Sequence, residues 1–240
     1  MTESTKKQKK VPHILQTHFD IANKYEIGLD EAGRGPLFGR VYVAAVILPA
    51  ATAFRHEDMK DSKKFTSKRK ICEVSDYIKA HSVAWSIQYI EAEEIDRINI
   101  LQAVLKAMHL CIAECIRKMD QITCEIAGEK TVAQDYCLLI DGNQFKPYTI
   151  FNEETCELDC IRHEMVEGGD NKYTAIAAAS ILAKVARDQY ILDLCARHPD
   201  LVNRYHLDTN MGYGTKQHMA GILEHGIADE HRKSYGPCKP

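Results

Sequence analysis

Apolar and polar positions alternate near the start of the chain in the pattern of a β-sheet. Such a run covers residues 25–29 and ends in the adjacent carboxylates of Asp30 and Glu31, and a second run follows from Val41 to Leu48. A third, from Ser82 to Ile90, is rich in β-branched and aromatic residues. Three strands with short connections predict an antiparallel start to a sheet.

Helical spacing of apolar residues predicts three main helices. Ser67 is placed to cap a helix over about 68–80, and a long helical region over residues 91–119 carries an apolar stripe. The third helix, over residues 173–197, begins with a run of alanines, whose small side chains allow close approach to a sheet. A short helix after Thr215 ends near Glu224.

The run from Tyr136 to Ile140 is apolar on both faces, which is typical of a central strand in an α/β sheet. Asp141 and Gly142 follow it, and open α/β sheets place their chemistry at such carboxyl ends. Residues 144–159 predict an irregular surface loop or hairpin, and residues 161–166 a further strand. The pattern therefore indicates the α/β class.

Composition indicates the class of protein and the compartment to which this chain belongs. The chain has 240 residues, 45% of them hydrophobic and 27% charged, which suits one globular domain with appendages. No apolar run approaches the roughly 20 residues needed to span a bilayer, and the N-terminus shows no signal-peptide core. We therefore expect a cytoplasmic protein, where nine cysteines would be free thiols rather than a disulfide framework.

The chain divides into three predicted parts. Residues 1–20 form a basic and disordered tail, residues 21–200 the main domain, and residues 201–240 a helical C-terminal extension packed on it. The tail holds Lys6, Lys7, Lys9 and Lys10. The net charge of −3 argues against a wholly basic nucleic-acid coat, but it allows a local basic patch such as Lys63 and Lys64.

Cys156, Cys160 and His163 raise the alternative of a zinc site. Their spacing is not a standard ligand pair and no second pair is evident, so a loop that carries free thiols is the favoured interpretation.

Four acidic residues stand at strand ends or at a helix start: Asp30, Glu31, Asp141 and Asp170. Each alone is compatible with an ordinary turn or helix cap. If the fold brings them together, their like charges require a counter-charge. Oxygen ligands select hard ions such as Mg2+ or Mn2+, and two such ions about 4 Å apart form the clamp of phosphodiester hydrolysis.

The motifs in which these acids occur resemble, in order along the chain, the signature of the ribonuclease HII family. They are Gly28–Leu37 (GLDEAGRGPL), Asp61–Lys64 (DSKK), Ile140–Asn143 (IDGN), Ala177–Asp188 (AAASILAKVARD) and Gly212–Thr215 (GYGT). The resemblance implies a ribonuclease H-like fold, with a mixed central sheet flanked by helices and a helical C-terminal extension.

The same resemblance implies an activity. It predicts hydrolysis of RNA in RNA–DNA hybrids and cleavage 5′ to ribonucleotides embedded in duplex DNA, leaving 3′-hydroxyl and 5′-phosphate ends. It implies a monomer without membrane association. Asp30, Glu31, Asp141 and Asp170 would be catalytic and would hold two Mn2+ or Mg2+ ions.

Substrate binding is likewise implied by the resemblance. The Gly33-Arg34-Gly35 loop would read the ribose 2′-hydroxyl, which distinguishes RNA from DNA, and Tyr213 would pack on the neighbouring deoxyribose. The implied substrate-binding residues are Gly33, Arg34, Gly35, Lys63, Lys64, Ser180, Lys184 and Tyr213.

Some positions depart from the family pattern. Gly168-Gly169 precedes Asp170 where Lys-Gly is usual, Arg40 replaces a frequent proline, and Asn210-Met211 replaces a commonly basic pair. Two alternatives stay open: a non-catalytic nucleic-acid binding module, and a broader DNA nuclease or integrase of the same fold class.

Overall fold

A computed structural model describes residues 14–49 and 51–239 of the chain. The predicted tail covers residues 1–20, of which residues 1–13, with the four lysines, lie outside the described residues. From residue 14 onward the chain is attached to the body. Leu15 is buried, and the backbone of Gln16 pairs beside Tyr173, with its N–H donating to Lys172 O (2.8 Å).

Five strands form one mixed sheet, in the order β3-β2-β1-β4-β7. The first three pair antiparallel, as the sequence predicts, and β1, β4 and β7 are parallel. Their bounds are β1 Tyr25–Ala32, β2 Val41–Ile47, β3 Ala84–Ile90, β4 Tyr136–Asp141 and β7 Arg162–Val166. A separate hairpin, β5 Thr149–Asn152 and β6 Glu157–Cys160, occupies the region predicted as a loop or hairpin.

Helices cover both faces of the sheet. Their bounds are α1 Lys68–His81, α2 Ala92–Ile98, α3 Ile100–Ala127, α4 Thr174–Arg197, α5 Pro199–Tyr205, α6 Leu207–Asn210 and α7 Lys216–His225. Helix α3 packs against one face of the sheet, and α1 and α4 pack against the other. The predicted cap of α1 is confirmed, because the side chain of Ser67 accepts from Lys70 N. The side chain of Thr215 caps α7 in the same way, by accepting from His218 N.

The alternation along β1 decides which face each side chain serves. Successive strand residues point to opposite faces, so Ile27 and Leu29 enter the core under α3 while Gly28 and Asp30 face α4. A Cβ on Gly28 would lie 2.3 Å from the carbonyl carbon of Ala175 in α4. The alanine-rich start of α4 therefore lies directly on β1, as its small side chains predict.

The prediction of a single helical region over residues 91–119 is wrong. The structure has two helices, α2 and α3, which break at Asn99. Asn99 adopts a φ of 68°, and its side chain accepts from Gln102 N at 3.1 Å, so it ends α2 and caps α3. Among the described residues no single helix is long and apolar enough to span a bilayer. The bent α2–α3 pair, with 115° between its helices, meets that test by length and composition alone.

The hairpin carries the two thiols that raised the zinc alternative. Cys156, with a φ of 57°, lies in its turn, and Cys160 ends β6. Both side chains are exposed, and none of the nine cysteines forms a disulfide within the described residues.

Helices α5 to α7 and the end of the chain surround the loop between β1 and β2. Phe38 of this loop is buried with residues of α4, α5 and α6 and forms a bridge with His231. Backbone bonds from Arg232 N to Leu37 O and from Gly39 N to Glu230 O, both 2.8 Å, join the same two segments. The C-terminal part is thereby attached to the first loop of the sheet.

Two buried histidines form a hydrogen-bonded chain in this region. Ala228 N–H donates to Nδ1 of His231 (2.9 Å), so the proton of His231 is on Nε2 and is donated to Nε2 of His218 (3.0 Å). Nδ1 of His218 then donates to Tyr213 O (3.0 Å). This arrangement requires neutral rings. Burial lowers the pKa of His231 to about 4, and it lowers the pKa of His218 as well.

We expect Gly28→Ala to destabilise the fold strongly. The new methyl group would meet the α4 backbone, which cannot rotate away, so we expect a loss of about 3 kcal/mol in the free energy of unfolding, measured by urea denaturation. Gly236→Ala is the matched control, because nothing lies within 4 Å of a Cβ at that position. Equal stability of the two variants would contradict the close approach of α4 to β1.

The histidine pair predicts a loss of stability in mild acid. Above the ordinary histidine pKa of 6.5 the pair has no cost, but between 6.5 and about 4 the unfolded chain takes up protons that the folded chain excludes. Each ring then lowers stability by at most about 1.4 kcal/mol per pH unit. Urea denaturation between pH 7 and 5 should show a flatter pH dependence for His231→Gln than for the unchanged chain. The exposed His225→Gln should keep the original dependence.

Candidate active site

Asp30 and Asp141 leave neighbouring strands at the same level. In the parallel pairing of β1 and β4, Leu29 lies opposite Ile140, so Asp30 and Asp141 are the next residues on two strands about 4.8 Å apart. Both point to the α4 face, since Asp30 follows Leu29, and Asp141 is two residues beyond Leu139. The register of the sheet therefore brings together two acids that are 111 positions apart in the sequence.

Asp30 is the more deeply buried acid of this pair, with 6% of its surface exposed. Its Oδ1 accepts from Glu31 N at 2.6 Å. Burial raises its pKa well above the usual range, and the negative charges of Glu31 and Asp141 raise it further, while a hydrogen bond from Ser180 opposes the shift. A carboxylate held in this way lacks a nearby positive partner.

Glu31 is also still part of β1, where it lies opposite Val43 of β2. β1 continues through both acids to Ala32, and the loop with Gly33 and Gly35 follows directly, so the two acids lie at the end of the strand as the sequence predicts. The pairing with β4 has ended by then, so the end of the sheet is open on that side. Burial and the charge of Asp141 raise the pKa of Glu31, and Arg34, whose guanidinium lies 3.4 Å from Oε1, lowers it.

Asp170 lies in a short 3₁₀ turn, Gly169–Asn171, which connects β7 to α4. It does not cap α4, since that helix begins at Thr174. Gly169 N donates to Oδ1 of Asp141 at 2.7 Å, so the turn is fastened to the end of β4. Asp170 is 5% exposed, and its pKa is raised by burial and then by the charges of Asp61 and Asp141.

A fifth acid, Asp61, belongs to the same cluster and is absent from the four predicted from the sequence. The side chain of Asn171 donates to both Asp61 Oδ2 (3.3 Å) and Asp170 Oδ1 (2.9 Å). Burial acts to raise the pKa of Asp61, but donation from Lys63 N and Asn171 outweighs it and the pKa is lowered. Its place in the DSKK motif was a signal in the sequence, but only the two lysines of that motif were predicted as site residues.

Lys63 supplies the positive charge that these acids share. Its ammonium lowers the pKa values of Glu31, Asp141 and Asp170 against the effect of burial. Lys64 lies farther out, where its ammonium contacts the side-chain oxygen of Asn171. The predicted basic patch thus lies beside the predicted acids.

Ser180 and Lys184, the two predicted site residues of α4, have different surroundings. The hydroxyl of Ser180 is 3.0 Å from that of Ser62 and also bonds to Asp30, so Ser180 lies at the acid cluster. Lys184 forms its ion pair with Asp188, one turn farther along the helix. Its ammonium is therefore engaged elsewhere in this structure.

The Gly33-Arg34-Gly35 loop and Tyr213 lie side by side. Gly33 has a φ of 96°, and Arg34 and Gly35 are exposed. A Cβ on Gly35 would be 3.8 Å from the ring of Tyr213, which is 48% exposed. Leu37 N donates to Gly212 O at 2.8 Å and joins the two loops.

Two buried arginines behind these loops were not predicted as site residues. Arg187 of α4 donates to Met211 O at 2.7 Å, and its guanidinium lies 5.6 Å from the ring centre of Tyr213. Arg232 contacts the glycine loop. The sequence cannot show that these two arginines are buried against backbone carbonyls, because burial is a property of the fold.

The donor set fits hard divalent cations in chemistry. Five carboxylates and one lysine surround the end of β1 and β4, and carboxylate oxygens are the ligands that Mg2+ and Mn2+ prefer. Burial raises the pKa values of four of these carboxyl groups, all except Asp61, and the charges of neighbouring carboxylates raise them further. Lys63 alone does not balance this negative charge. Within residues 14–49 and 51–239 no three of these side chains already converge as a ligand set, so binding would require side-chain rotation.

Comparison of the sequence with known families gives one description. The model of the family described as ribonuclease HII matches residues 27–238. A ribonuclease HII of Parabacteroides distasonis is 41% identical over 212 residues, which cover 88% of this chain and 90% of the relative. A ribonuclease HII of Nostoc is 39% identical over 215 residues, which cover 88% of this chain and 81% of the relative.

Solved structures show the same fold. A ribonuclease HII from Archaeoglobus fulgidus, solved in a complex with PCNA, has a TM-score of 0.59 at 23% identity and covers 87% of this chain and 93% of its own. Ribonuclease H2 from Pyrococcus horikoshii has a TM-score of 0.59 at 18% identity, with coverage of 90% and 95%. A Bst ribonuclease HIII in complex with Mn2+ gives 0.57 at 16% identity, with coverage of 90% and 68%. The predicted ribonuclease H-like fold is confirmed.

The concentration of charge predicts that Asp30→Asn stabilises the protein in the absence of divalent ions. An amide keeps the acceptor for Glu31 N but removes a buried negative charge, so the free energy of unfolding in EDTA at pH 8 should rise by about 1–2 kcal/mol. Because the pKa of Asp30 is raised, this gain should shrink as the pH falls toward 4 and both states become protonated. The exposed Asp76→Asn, on α1, is the control and should change nothing. A loss of stability in Asp30→Asn would contradict the electrostatic description.

Proposed function

Because the chain belongs to the ribonuclease HII family, whose members are endoribonucleases acting on RNA–DNA hybrids, we propose that it performs ribonucleotide excision. It cuts the RNA strand of hybrids and cleaves 5′ to single ribonucleotides in duplex DNA, leaving 3′-hydroxyl and 5′-phosphate ends. The observation that carries the proposal is the register of β1 and β4, which sets Asp30 beside Asp141 next to the glycine loop.

Asp30, Glu31, Asp141 and Asp170 are the residues that we propose hold two divalent ions, Mn2+ or Mg2+. Such ions, when bound, supply Lewis-acid activation of water and stabilisation of the leaving oxygen. Burial raises the pKa values of these acids, and repulsion between neighbouring carboxylates raises them further. A bound cation would relieve that repulsion, which supports this role. The Mn2+ complex of the related ribonuclease HIII is consistent with it.

The remaining residues bind and orient the substrate in this proposal. Lys63 lies close enough to the acids to hold a phosphate oxygen at their edge. The exposed backbone of Arg34 and Gly35 faces the 2′-hydroxyl of the ribose, and the ring of Tyr213 beside it packs on the next sugar, where a hydroxyl would not fit. Ser180 fixes the orientation of Asp30 through its hydrogen bond.

Lys64 and Lys184 are proposed to contact the nucleic-acid backbone as well. For Lys184 this requires that it leave Asp188 when substrate binds. Action as a monomer and a cytoplasmic location also belong to the proposal, the latter supported by nine free cysteines in a chain without a disulfide among its described residues. The division at residues 20 and 200 stays a prediction.

Incubation with a duplex that holds one ribonucleotide, plus Mn2+ or Mg2+, tests this function. We expect a single cut 5′ to the ribonucleotide, no cut in EDTA, and no cut of the all-DNA duplex. Asp141→Asn should lower the rate by about three orders of magnitude, because it removes a charged ligand. The exposed Asp76→Asn should retain the original rate.

The alternatives predict other outcomes of the same assay. A binding module would hold the duplex with strong salt dependence and leave it uncut, and a broader DNA nuclease would digest the all-DNA duplex. An Asp141→Asn variant of normal rate would remove Asp141 from the proposed site.

A further inference from the structure

Arg232 is a fully buried arginine whose charge is satisfied by backbone carbonyls. Its guanidinium donates to Gly33 O (2.7 Å), Arg34 O (3.0 Å) and Gly39 O (2.9 Å). A fourth bond goes to the hydroxyl of Tyr235 (3.1 Å), which itself donates to Arg34 O (2.6 Å). Within the described residues no carboxylate forms an ion pair with this guanidinium.

The geometry of the peptide bond fixes where the opposite side of each peptide points. In a trans peptide the C=O and the following N–H point in opposite directions. Since the carbonyls of Gly33 and Arg34 face Arg232, the N–H groups of Arg34 and Gly35 face away from it, on the exposed side of the loop. Neither N–H has a protein acceptor in the part of the chain that the structure describes.

The buried charge also affects the strength of these two donors. A guanidinium bound to a carbonyl polarises the peptide, and in a region of low dielectric the polarised N–H becomes a better hydrogen-bond donor. Two adjacent N–H groups that point the same way form a concave site for an oxygen ligand. The arrangement suits an oxygen ligand such as a ribose hydroxyl or a phosphate oxygen.

We propose that Arg232 is a positioning residue for ribose recognition, which sets the two peptide planes of the Gly33-Arg34-Gly35 loop so that the N–H groups of Arg34 and Gly35 meet the substrate. This role rests on the proposed function, and it assigns the specificity of the loop for ribose to a residue outside the loop. Tyr235 assists by closing the second bond to Arg34 O.

Only arginine meets the geometric demand at this position. Three carbonyls surround a planar fork that carries donors along its edges, and a lysine ammonium would be a single point unable to reach all three. The segment that carries Arg232 is held independently by Asp96 of α2, whose carboxylate accepts from Lys233 N and Ser234 N, both at 2.8 Å. Loss of Asp96 would therefore loosen the segment without removing a bond to the loop.

The test measures ribose discrimination separately from catalysis. In an Asp141→Asn background, binding in EDTA is measured for a duplex with one ribonucleotide and for the same duplex made only of DNA. The Kd of the all-DNA duplex divided by the Kd of the ribonucleotide-containing duplex reports recognition of the 2′-hydroxyl. We expect Arg232→Lys to reduce this ratio about tenfold, since charge-assisted bonds that position the loop are lost, with a smaller effect on all-DNA binding.

Two further variants keep the test decisive. Tyr235→Phe removes one hydroxyl and should reduce the ratio about threefold, which provides an answer if Arg232→Lys does not fold by circular dichroism. Asp96→Asn is the matched control and should lower the urea midpoint while the ratio stays unchanged.

Each outcome decides between the two proposals. An unchanged ratio in folded Arg232→Lys or Tyr235→Phe overturns the role of Arg232, and so does an equal drop in Asp96→Asn, which would mean that general rigidity is responsible. If the unmodified chain fails to cut a ribonucleotide-containing duplex, the proposed function fails and the inference fails with it. Cleavage by the unmodified chain together with an unchanged ratio leaves the function intact and rejects the inference alone.

Discussion

The parallel pairing of β1 with β4 is the constraint on which the site depends. A shift of one residue in that register would turn Asp141 to the α3 face and separate it from Asp30. The register is held from both sides of the sheet. Leu29 and Ile140 lie in the core under α3, and Gly28, which has no side chain, allows α4 to pack closely on the other face. Apolar packing on both faces thus offsets the electrostatic repulsion between carboxylates that would otherwise force the strand ends apart.

Much of this arrangement could be predicted from the sequence. Alternation and apolar runs gave the strands of the main sheet, the alanine-rich start of α4 predicted its close approach, and the ends of strands indicated Asp30 and Asp141. The break at Asn99 was missed, because an apolar stripe continues across it and a single positive φ has no pattern.

The contacts between the supporting residues of the site could not be predicted from the sequence. Asp61 and Asn171 are 110 positions apart and meet only through the fold. Arg187 and Arg232 look like ordinary surface charges until their burial is known. Sequence patterns report what faces the core or the solvent, but they do not report which buried polar group satisfies which carbonyl. Such pairings depend on three-dimensional proximity alone.

The attachment of the first loop by Arg232 also has a consequence for biosynthesis. The carbonyl of Gly33 accepts from Arg232, which is synthesised 199 residues later. The strands of the main sheet end at Val166, whereas the bonds from Arg232 to the loop beside the acids can form only after residue 232 has been synthesised. The sheet and the bonded loop therefore depend on segments of the chain that are synthesised at different times.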